Sequence, residues 1–195
     1  MTAYSTRFDD AFTWASELHR KQTRKGKEVP YINHLMAVAA LVGSNGGDED
    51  QVIAALLHDS IEDCVGEVPD IVEQIRERFG ARVLEIVEGC TDAYSDPKPE
   101  WRVRKETYLA HLRETPEDSP ILLVSLADKV HNARAIVRDF LEIGDQLWGR
   151  FNGKRDGTIW YYSTLAEIFG EKKPGYLATE LRSMVSVMKE PRSAL

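Results

Sequence analysis

The segment from His58 to Asp63, His-Asp-Ser-Ile-Glu-Asp, places four potential metal-binding or proton-transfer side chains within six residues. It directly follows the apolar run from Val52 to Leu57, which is typical of a buried helix. Buried imidazoles and carboxylates persist only when they are paired, hydrogen-bonded or bound to a cation. This segment therefore indicates a functional site rather than a purely structural helix.

Two more polar residues stand in surroundings that favour burial. His34 lies near the start of a predicted helix, and Asp128 interrupts the apolar run 122–130. Together with His58 and Asp59 they form a set of two imidazoles and two carboxylates. Such a set suits Mn²⁺, Fe²⁺, Co²⁺ or Zn²⁺ better than Ca²⁺. Four protein ligands on an ion that prefers six would leave positions for water and substrate.

Glu62 and Asp63 follow His58 and Asp59 by one helical turn, provided that the helix continues that far. Beside a divalent cation, two such carboxylates would orient an attacking water and transfer its proton. The alternative interpretation is a solvated acidic helix end.

The remaining polar candidates are weaker when each is taken alone. Asn132 lies one turn after Asp128, where its amide suits a sugar hydroxyl or a phosphate oxygen, and a surface or capping amide is the alternative. His19, His111 and His131 are predicted to be ordinary hydrogen-bonded residues of the core.

Composition is that of a soluble globular protein, with 195 residues, 43% hydrophobic and 29% charged. No apolar run approaches the roughly 20 residues that a membrane span requires. The first residues lack the features of a signal peptide, so we expect a cytoplasmic location. Cys64 and Cys90 are not closely spaced, which argues against a thiolate zinc site or a disulfide framework.

The net charge of −7 argues against non-specific binding to nucleic acid. Residues 20–27 nevertheless hold five of the 25 basic groups. One compact cationic loop in an acidic protein suits a small anionic ligand, and a solvated charged loop is the alternative.

Apolar periodicity predicts helices almost throughout, and sustained strand-like alternation is absent. The predicted helices cover residues 8–19, 30–41, 48–59, 69–79, 81–93, 101–114, 117–140, 158–169 and 176–188. Residues 95–99 are predicted to be a loop, and the glycine-punctuated stretch 144–157 a mobile connection. The sequence thus predicts one all-α domain over residues 1–195.

Three sequence blocks resemble the HD hydrolase domain of RelA/SpoT enzymes, which removes the 3′-pyrophosphate from the alarmones ppGpp and pppGpp. The blocks are residues 24–34, 55–63 and 125–134, and the resemblance covers residues 5 to about 170. It implies an HD-type helical bundle. Long alarmone enzymes carry synthetase and regulatory domains after the hydrolase, for which 195 residues leave no room. The chain therefore resembles the small stand-alone alarmone hydrolases, a group that includes the metazoan Mesh1 proteins.

The resemblance also implies roles for individual residues. Mn²⁺ would be bound by His34, His58, Asp59 and Asp128, Glu62 and Asp63 would be the catalytic carboxylates, Arg24 and Lys25 would hold the nucleotide, and Asn132 would contact ribose or phosphate. The segment 144–162 matches the long enzymes poorly. Its Lys154, Arg155, Tyr161 and Tyr162 are expected to contact the base or distal phosphates.

Two other functions stay open at this point. The same metal site would serve a hydrolase of another phosphorylated nucleotide, such as NADPH at its 2′-phosphate or a nucleoside monophosphate. A module that binds alarmone without turnover is the alternative outside enzymes. We expect a small nucleotide as the partner, rather than a nucleic acid or a membrane, and the oligomeric state is open.

Overall fold

The computed structural model describes residues 3–92 and 99–190, and within these ranges the regular structure is helical apart from one isolated β-bridge. The all-α prediction is confirmed. The α-helices are α1 (Thr6–Leu18), α2 (Ile32–Ser44), α3 (Glu49–Leu57), α4 (Ser60–Cys64), α5 (Ile71–Phe79), α6 (Ala81–Cys90), α7 (Trp101–Glu114), α8 (Ile121–Ile143), α9 (Lys154–Lys172) and α10 (Tyr176–Lys189), and a 3₁₀ helix spans Gly144–Arg150. Most of the loop predicted at residues 95–99, and Ala93 at the end of a predicted helix, lie outside the described residues.

The 23-residue helix α8 forms the centre of the bundle. It packs against α2, α3, α6 and α10, and its residues 121–128 are all buried. Close packing with α6 depends on Gly89, because a Cβ atom there would lie 2.4 Å from Cδ1 of Ile121. A carboxylate on α8 at position 128 is therefore held in a rigid, water-poor environment.

Helix α3 starts where the sequence predicts, at a capping box. The Asp48 carboxylate accepts from the backbone N–H of Gln51 at 3.0 Å, and Gln51 Oε1 accepts from the N–H of Asp48. The helix ends at Leu57, six residues before Asp63, so one continuous helix does not carry both acidic pairs. It resumes as α4, with the N–H of Asp63 donating to the Asp59 carbonyl at 2.9 Å. The interruption places His58 and Asp59 in the turn between two buried helices.

The basic loop is held by backbone hydrogen bonds rather than being free in solvent. The N–H of Arg24 donates to the Val29 carbonyl at 2.8 Å, and the N–H of Tyr31 donates to the Gln22 carbonyl at 3.0 Å. Gly26 turns the chain with a φ of 73°, which favours glycine. Because Pro30 belongs to this bridged loop, α2 begins at Ile32, two residues later than predicted.

The connection predicted at 144–157 requires correction, because it is largely helical. The 3₁₀ helix buries Leu147 and Trp148, and the Trp148 ring lies 5.4 Å from the Phe140 ring. Helix α9 then starts at Lys154, four residues before the predicted start. These buried apolar side chains attach the segment to the end of α8, which the glycine content did not indicate.

Two further observations concern the apolar residues of the helices. Within residues 3–92 and 99–190, no helix combines the length and apolar character that crossing a bilayer requires. The apolar side chains of α10, including Leu181 and Met188, are buried against the rest of the bundle.

Candidate metal centre and adjoining cavity

Four side chains from three parts of the fold converge in the interior. His34 comes from the first turn of α2, His58 and Asp59 from the turn after α3, and Asp128 from the middle of α8. His34 Nε2 lies 3.2 Å from Asp128 Oδ1, and His58 Nε2 lies 3.0 Å from Asp59 Oδ2. The two remaining nitrogen–oxygen pairs are each 3.5 Å apart. The set chosen from the sequence is thus one spatial cluster.

The tautomers of both imidazoles follow from their second nitrogen. His58 Nδ1 faces the Ala55 carbonyl at 2.8 Å, and since a carbonyl only accepts, Nδ1 carries the proton. His34 Nδ1 faces His131 Nδ1 at 2.7 Å. Burial, together with the nearby His34 and Arg24, lowers the pKa of His131 to about 4, so a neutral His131 accepts from His34. Both Nε2 atoms then present lone pairs to the cluster.

The carboxylates give the cluster a strongly negative potential. Burial raises the pKa of Asp59 and Asp128, but the neighbouring histidines and Lys129 outweigh it and hold both pKa values well below the usual range. Lys129 Nζ donates to Asp128 Oδ2 at 2.6 Å, which leaves Oδ1 directed at the imidazoles. Although burial opposes it, the same carboxylates raise the pKa of His58. The cluster therefore favours a positive charge between these groups.

A divalent metal ion fits this cluster on three grounds. The Nε2 atoms of His34 and His58 are buried and make no hydrogen bond within the described part of the chain. Ligand atoms of His34, His58 and Asp59 all lie within 4.8 Å of one another, and Asp128 Oδ1 approaches both imidazoles. Neighbouring ligands about 2.1 Å from a shared ion would be roughly 3 Å apart. The donors are nitrogen and oxygen, which suits a transition metal.

Helix α4 carries Glu62 and Asp63 next to the cluster. Asp63 Oδ2 accepts from Gln22 Nε2 at 2.7 Å, which connects α4 to the basic loop. Glu62 Oε1 lies 3.6 Å from Arg104 Nη1, on the first turn of α7. Each acidic side chain thus has a defined neighbour, and Asp63 lies one helical turn after Asp59.

A second charged group holds the start of α7 behind Glu62. Asp92 accepts from Arg104 Nη1 at 2.5 Å and is also paired with Lys105. Burial raises the pKa of Asp92, but Lys105, Lys129 and Arg104 outweigh that effect and lower it to about 2. This ion cluster fixes the direction from which Arg104 reaches Glu62.

A cavity of about 810 Å³ opens beside the metal cluster, with His34 in its wall. Its lining includes five cationic side chains and one carboxylate; these are Arg24, Lys25, Lys27, Arg134, Arg138 and Asp139. Apolar and aromatic surface comes from Tyr31, Ile136, Phe151 and Tyr162. The combination of positive charge and ring surfaces fits a polyanion that carries an aromatic group.

Three of the residues predicted to bind substrate line this cavity: Arg24, Lys25 and Asn132. Arg24 Nη2 donates to Asn132 Oδ1 at 2.5 Å, and Asn132 Nδ2 donates to Asp128 Oδ1 at 2.5 Å. The guanidinium of Arg24 also lies 5.5 Å from the centre of the Tyr31 ring. A hydrogen-bonded path therefore joins the basic loop to the metal cluster.

Of the residues expected to contact substrate, Lys154, Arg155 and Tyr161 do not line this cavity. Arg155 Nη2 donates to the Lys189 carbonyl at the end of α10. Lys154 is the first residue of α9, and Tyr161 is buried with its ring 6.4 Å from that of Trp101. Tyr162, the fourth residue expected to contact substrate, does line the cavity.

Sequence reasoning missed several residues of the site. Tyr31 OH donates to Asp59 Oδ2 at 2.6 Å, and His131 is the hydrogen-bond partner of His34 rather than an ordinary core residue. Arg104 was not singled out either. The position of His131, three residues after Asp128 on a helix face, was the one available signal.

The comparisons with known proteins agree with this geometry. An HD-domain family model matches residues 11–159. The chain is 38% identical over 126 residues to a guanosine-3′,5′-bis(diphosphate) 3′-pyrophosphohydrolase of Haemophilus influenzae, a match that covers 63% of this chain and 17% of that protein. It is also 39% identical over 132 residues to the guanosine-3′,5′-bis(diphosphate) 3′-pyrophosphohydrolase MESH1 of Xenopus tropicalis. This match covers 66% of this chain and 69% of the relative.

A solved structure shares the whole architecture. It is described as a metazoan ortholog of SpoT that hydrolyzes ppGpp, and it superposes with a TM-score of 0.77 at 26% sequence identity. The superposition covers 95% of this chain and 97% of the other. The likeness therefore extends over the helices that carry the four ligand candidates.

Proposed function

The chain belongs to the HD-domain family, and we propose that it is a metal-dependent hydrolase that removes the 3′-pyrophosphate from ppGpp and pppGpp. The products are GDP or GTP and pyrophosphate. The observation that carries the proposal is the buried cluster of two imidazole nitrogens and two carboxylates beside a cationic cavity. The names of the similar proteins supply the substrate.

The ion in this proposal is Mn²⁺, held by His34, His58, Asp59 and Asp128. When bound, such an ion supplies positive charge that polarises a phosphoryl oxygen and makes water more acidic. The hydrogen bonds from His58 to the Ala55 carbonyl and from His34 to His131 keep both Nε2 atoms free for the ion.

The two carboxylates of α4 act on the attacking water. Water attacks the phosphorus that is bonded to the ribose 3′-oxygen, and the bond between these two atoms breaks. Glu62 and Asp63 orient the water and accept its proton, while the 3′-oxygen takes up a proton as it leaves. Arg104 Nη1, 3.6 Å from Glu62 Oε1, is the basic neighbour that positions this carboxylate.

The cavity side chains hold the substrate. Arg24 and Lys25 offset the charge of the phosphates, which an acidic protein would otherwise repel. Asn132, hydrogen-bonded to both Arg24 and Asp128, presents its amide to the ribose or to a phosphate oxygen. The ring of Tyr31 and the guanidinium of Arg24 offer flat surfaces to a base.

Product identification across a nucleotide panel tests this function. Mn²⁺-loaded protein is incubated with ppGpp, pppGpp, NADPH and GMP, and products are separated by anion-exchange chromatography. We expect GDP and GTP with intact pyrophosphate from the first two, and no product from the others. Release of phosphate from NADPH alone would assign the site to the 2′-phosphate. Tight calorimetric binding of ppGpp without any product would identify a sensor.

A further inference from the structure

The far end of the cavity contains a second charged group, distinct from the metal cluster. Asp139 on α8 is largely buried, with 11% of its side chain exposed. Its Oδ1 accepts from Lys27 Nζ at 2.5 Å, and its Oδ2 accepts from Arg150 Nη1 at 3.1 Å. Arg138 Nε lies 3.4 Å from Oδ1. One carboxylate therefore forms ion pairs with three cationic side chains.

This group carries a surplus of positive charge. Three cations and one carboxylate leave a net charge of +2. Arg150, from the 3₁₀ helix, takes up one oxygen of Asp139 without itself lining the cavity, whereas Lys27 and Arg138 do line it. Only 25% of the Lys27 side chain is exposed, so its charge is weakly screened by solvent. An anion entering this end of the cavity would be attracted strongly.

Backbone packing fixes the group in place. A Cβ atom on Gly26 would lie 3.2 Å from Cδ of Arg150, so the turn of the basic loop rests directly on the arginine side chain. Lys27 follows that turn immediately. The basic loop and the 3₁₀ helix are thus joined across the end of the cavity, and Lys27 has a set position before any ligand binds.

Helix α8 sets the distance between the metal cluster and the charged group around Asp139. Asp128, Asn132 and Asp139 lie at intervals of four and seven residues, which puts them on one face of the helix. Asp128 and Asp139 are separated by about three turns, or about 16 Å along the axis. A ligand with phosphoryl groups at one end only would leave the other cationic end unfilled.

We propose that Lys27 and Arg138, supported by Arg150 and Asp139, form a binding subsite for the 5′-diphosphate of a nucleotide whose 3′-diphosphate lies at the metal cluster. This rests on the proposed function and extends it. The subsite selects nucleosides that are phosphorylated at both ends, and it contributes to substrate binding rather than to bond cleavage.

Steady-state kinetics of Lys27→Met test the subsite. With Mn²⁺-loaded protein, we expect the KM for ppGpp to rise about tenfold at unchanged kcat, because one charged hydrogen bond to the substrate is lost. The KM for guanosine 3′-diphosphate, which lacks the 5′-phosphates, should not change. Lys27→Arg should retain the wild-type KM, and Lys21→Met, an exposed lysine of the same loop outside the cavity, is the matched control.

Calorimetric binding separates this inference from the proposed reaction. In the presence of EDTA, which prevents turnover, we expect GDP to bind Lys27→Met about tenfold more weakly than wild type. Guanosine 3′-diphosphate, which lacks the 5′-phosphates, should bind both proteins equally. If wild type hydrolyses neither nucleotide but the GDP difference is found, the subsite stands and the proposed function fails. Equal losses for both 3′-diphosphates, or unchanged KM and GDP binding in Lys27→Met, would overturn the subsite.

Discussion

At the scale of single residues, the hydrogen bond from Tyr31 to Asp59 orients a ligand of the proposed ion. The phenol donates to Oδ2, the oxygen that also lies 3.0 Å from His58 Nε2. An outer partner of this kind fixes the direction of the carboxylate before the ion arrives. The same ring lies beside Arg24, so one side chain contacts both the metal cluster and the cavity.

Removing this hydroxyl should weaken metal binding. Tyr31→Phe keeps the ring but leaves Asp59 without its donor, and we expect Mn²⁺ affinity to fall by about 10- to 100-fold. Competition with a chelator measures it. Tyr4→Phe, which removes a hydroxyl from an exposed tyrosine, is the control. An unchanged Mn²⁺ affinity in Tyr31→Phe would mean that the hydrogen bond does not support the site.

The sequence identified the four ligand candidates because their charge is costly in apolar surroundings. His58 and Asp59 end an apolar run, and Asp128 interrupts another, which is visible without a structure. Tyr31 and His131 give no such signal, since an aromatic or imidazole ring on a helix face is equally typical of a core. The role of Tyr31 depends on the turn between α3 and α4 lying next to the start of α2, and the role of His131 depends on the contact between α2 and α8. Only the fold supplies these contacts.

At the scale of elements, the start of α7 is held by charge rather than by apolar packing alone. Asp92 pairs with Arg104 and Lys105, and only 7% of its side chain is exposed. Lys105 is largely buried, with 17% of its side chain exposed, and burial lowers its pKa despite the nearby carboxylate. Loss of Asp92 would therefore leave a buried cation without its partner.

This ion cluster predicts a pH-dependent contribution to stability. The pKa of Asp92 is lowered to about 2 in the folded protein, so its contribution is complete above the unfolded value near 4 and is lost as pH falls toward 2. Urea unfolding should show Asp92→Asn less stable by about 2 kcal/mol at pH 6. The difference should shrink between pH 4 and pH 2.

Asp10→Asn, an exposed substitution on α1, provides the control for this series. A difference between wild type and Asp92→Asn that stayed constant from pH 6 to pH 2.5 would show that the carboxylate charge is not what holds α7.

The sequence predicted most helices because apolar spacing and caps are local signals. Asp48 marked the start of α3, and the predicted span of α7, 101–114, is the observed one. The segment 144–157 was misjudged because its glycines indicate flexibility, whereas its order comes from Leu147 and Trp148, which are buried next to the end of α8. Such tertiary packing leaves no local pattern.

At the scale of the whole molecule, the proposed ion joins three parts of the fold. Its ligands come from α2, from the turn between α3 and α4, and from α8. An ion that binds the folded state alone stabilises it by mass action. That residues 1–195 form a single domain stays a prediction. If they do, the stabilisation by the ion should shift one cooperative unfolding transition.

Thermal unfolding should therefore respond to the metal. At a Mn²⁺ concentration 100 times the dissociation constant, the folded state gains about 2.7 kcal/mol, which raises Tm by roughly 5–10 °C. Addition of EDTA should reverse the shift, and His58→Ala should show none. A Tm that does not change on addition of Mn²⁺ or EDTA would contradict the placement of the ion between these helices.

The most direct test of the account compares wild type with Asp128→Asn, a substitution that preserves shape but removes the charge of one ligand. Bound metal and pyrophosphate release from ppGpp are measured on the same samples. We predict that wild type retains Mn²⁺ and releases pyrophosphate and GDP, and that Asp128→Asn loses most of both. Full pyrophosphate release by an Asp128→Asn sample without bound metal would contradict the proposed metal-dependent mechanism.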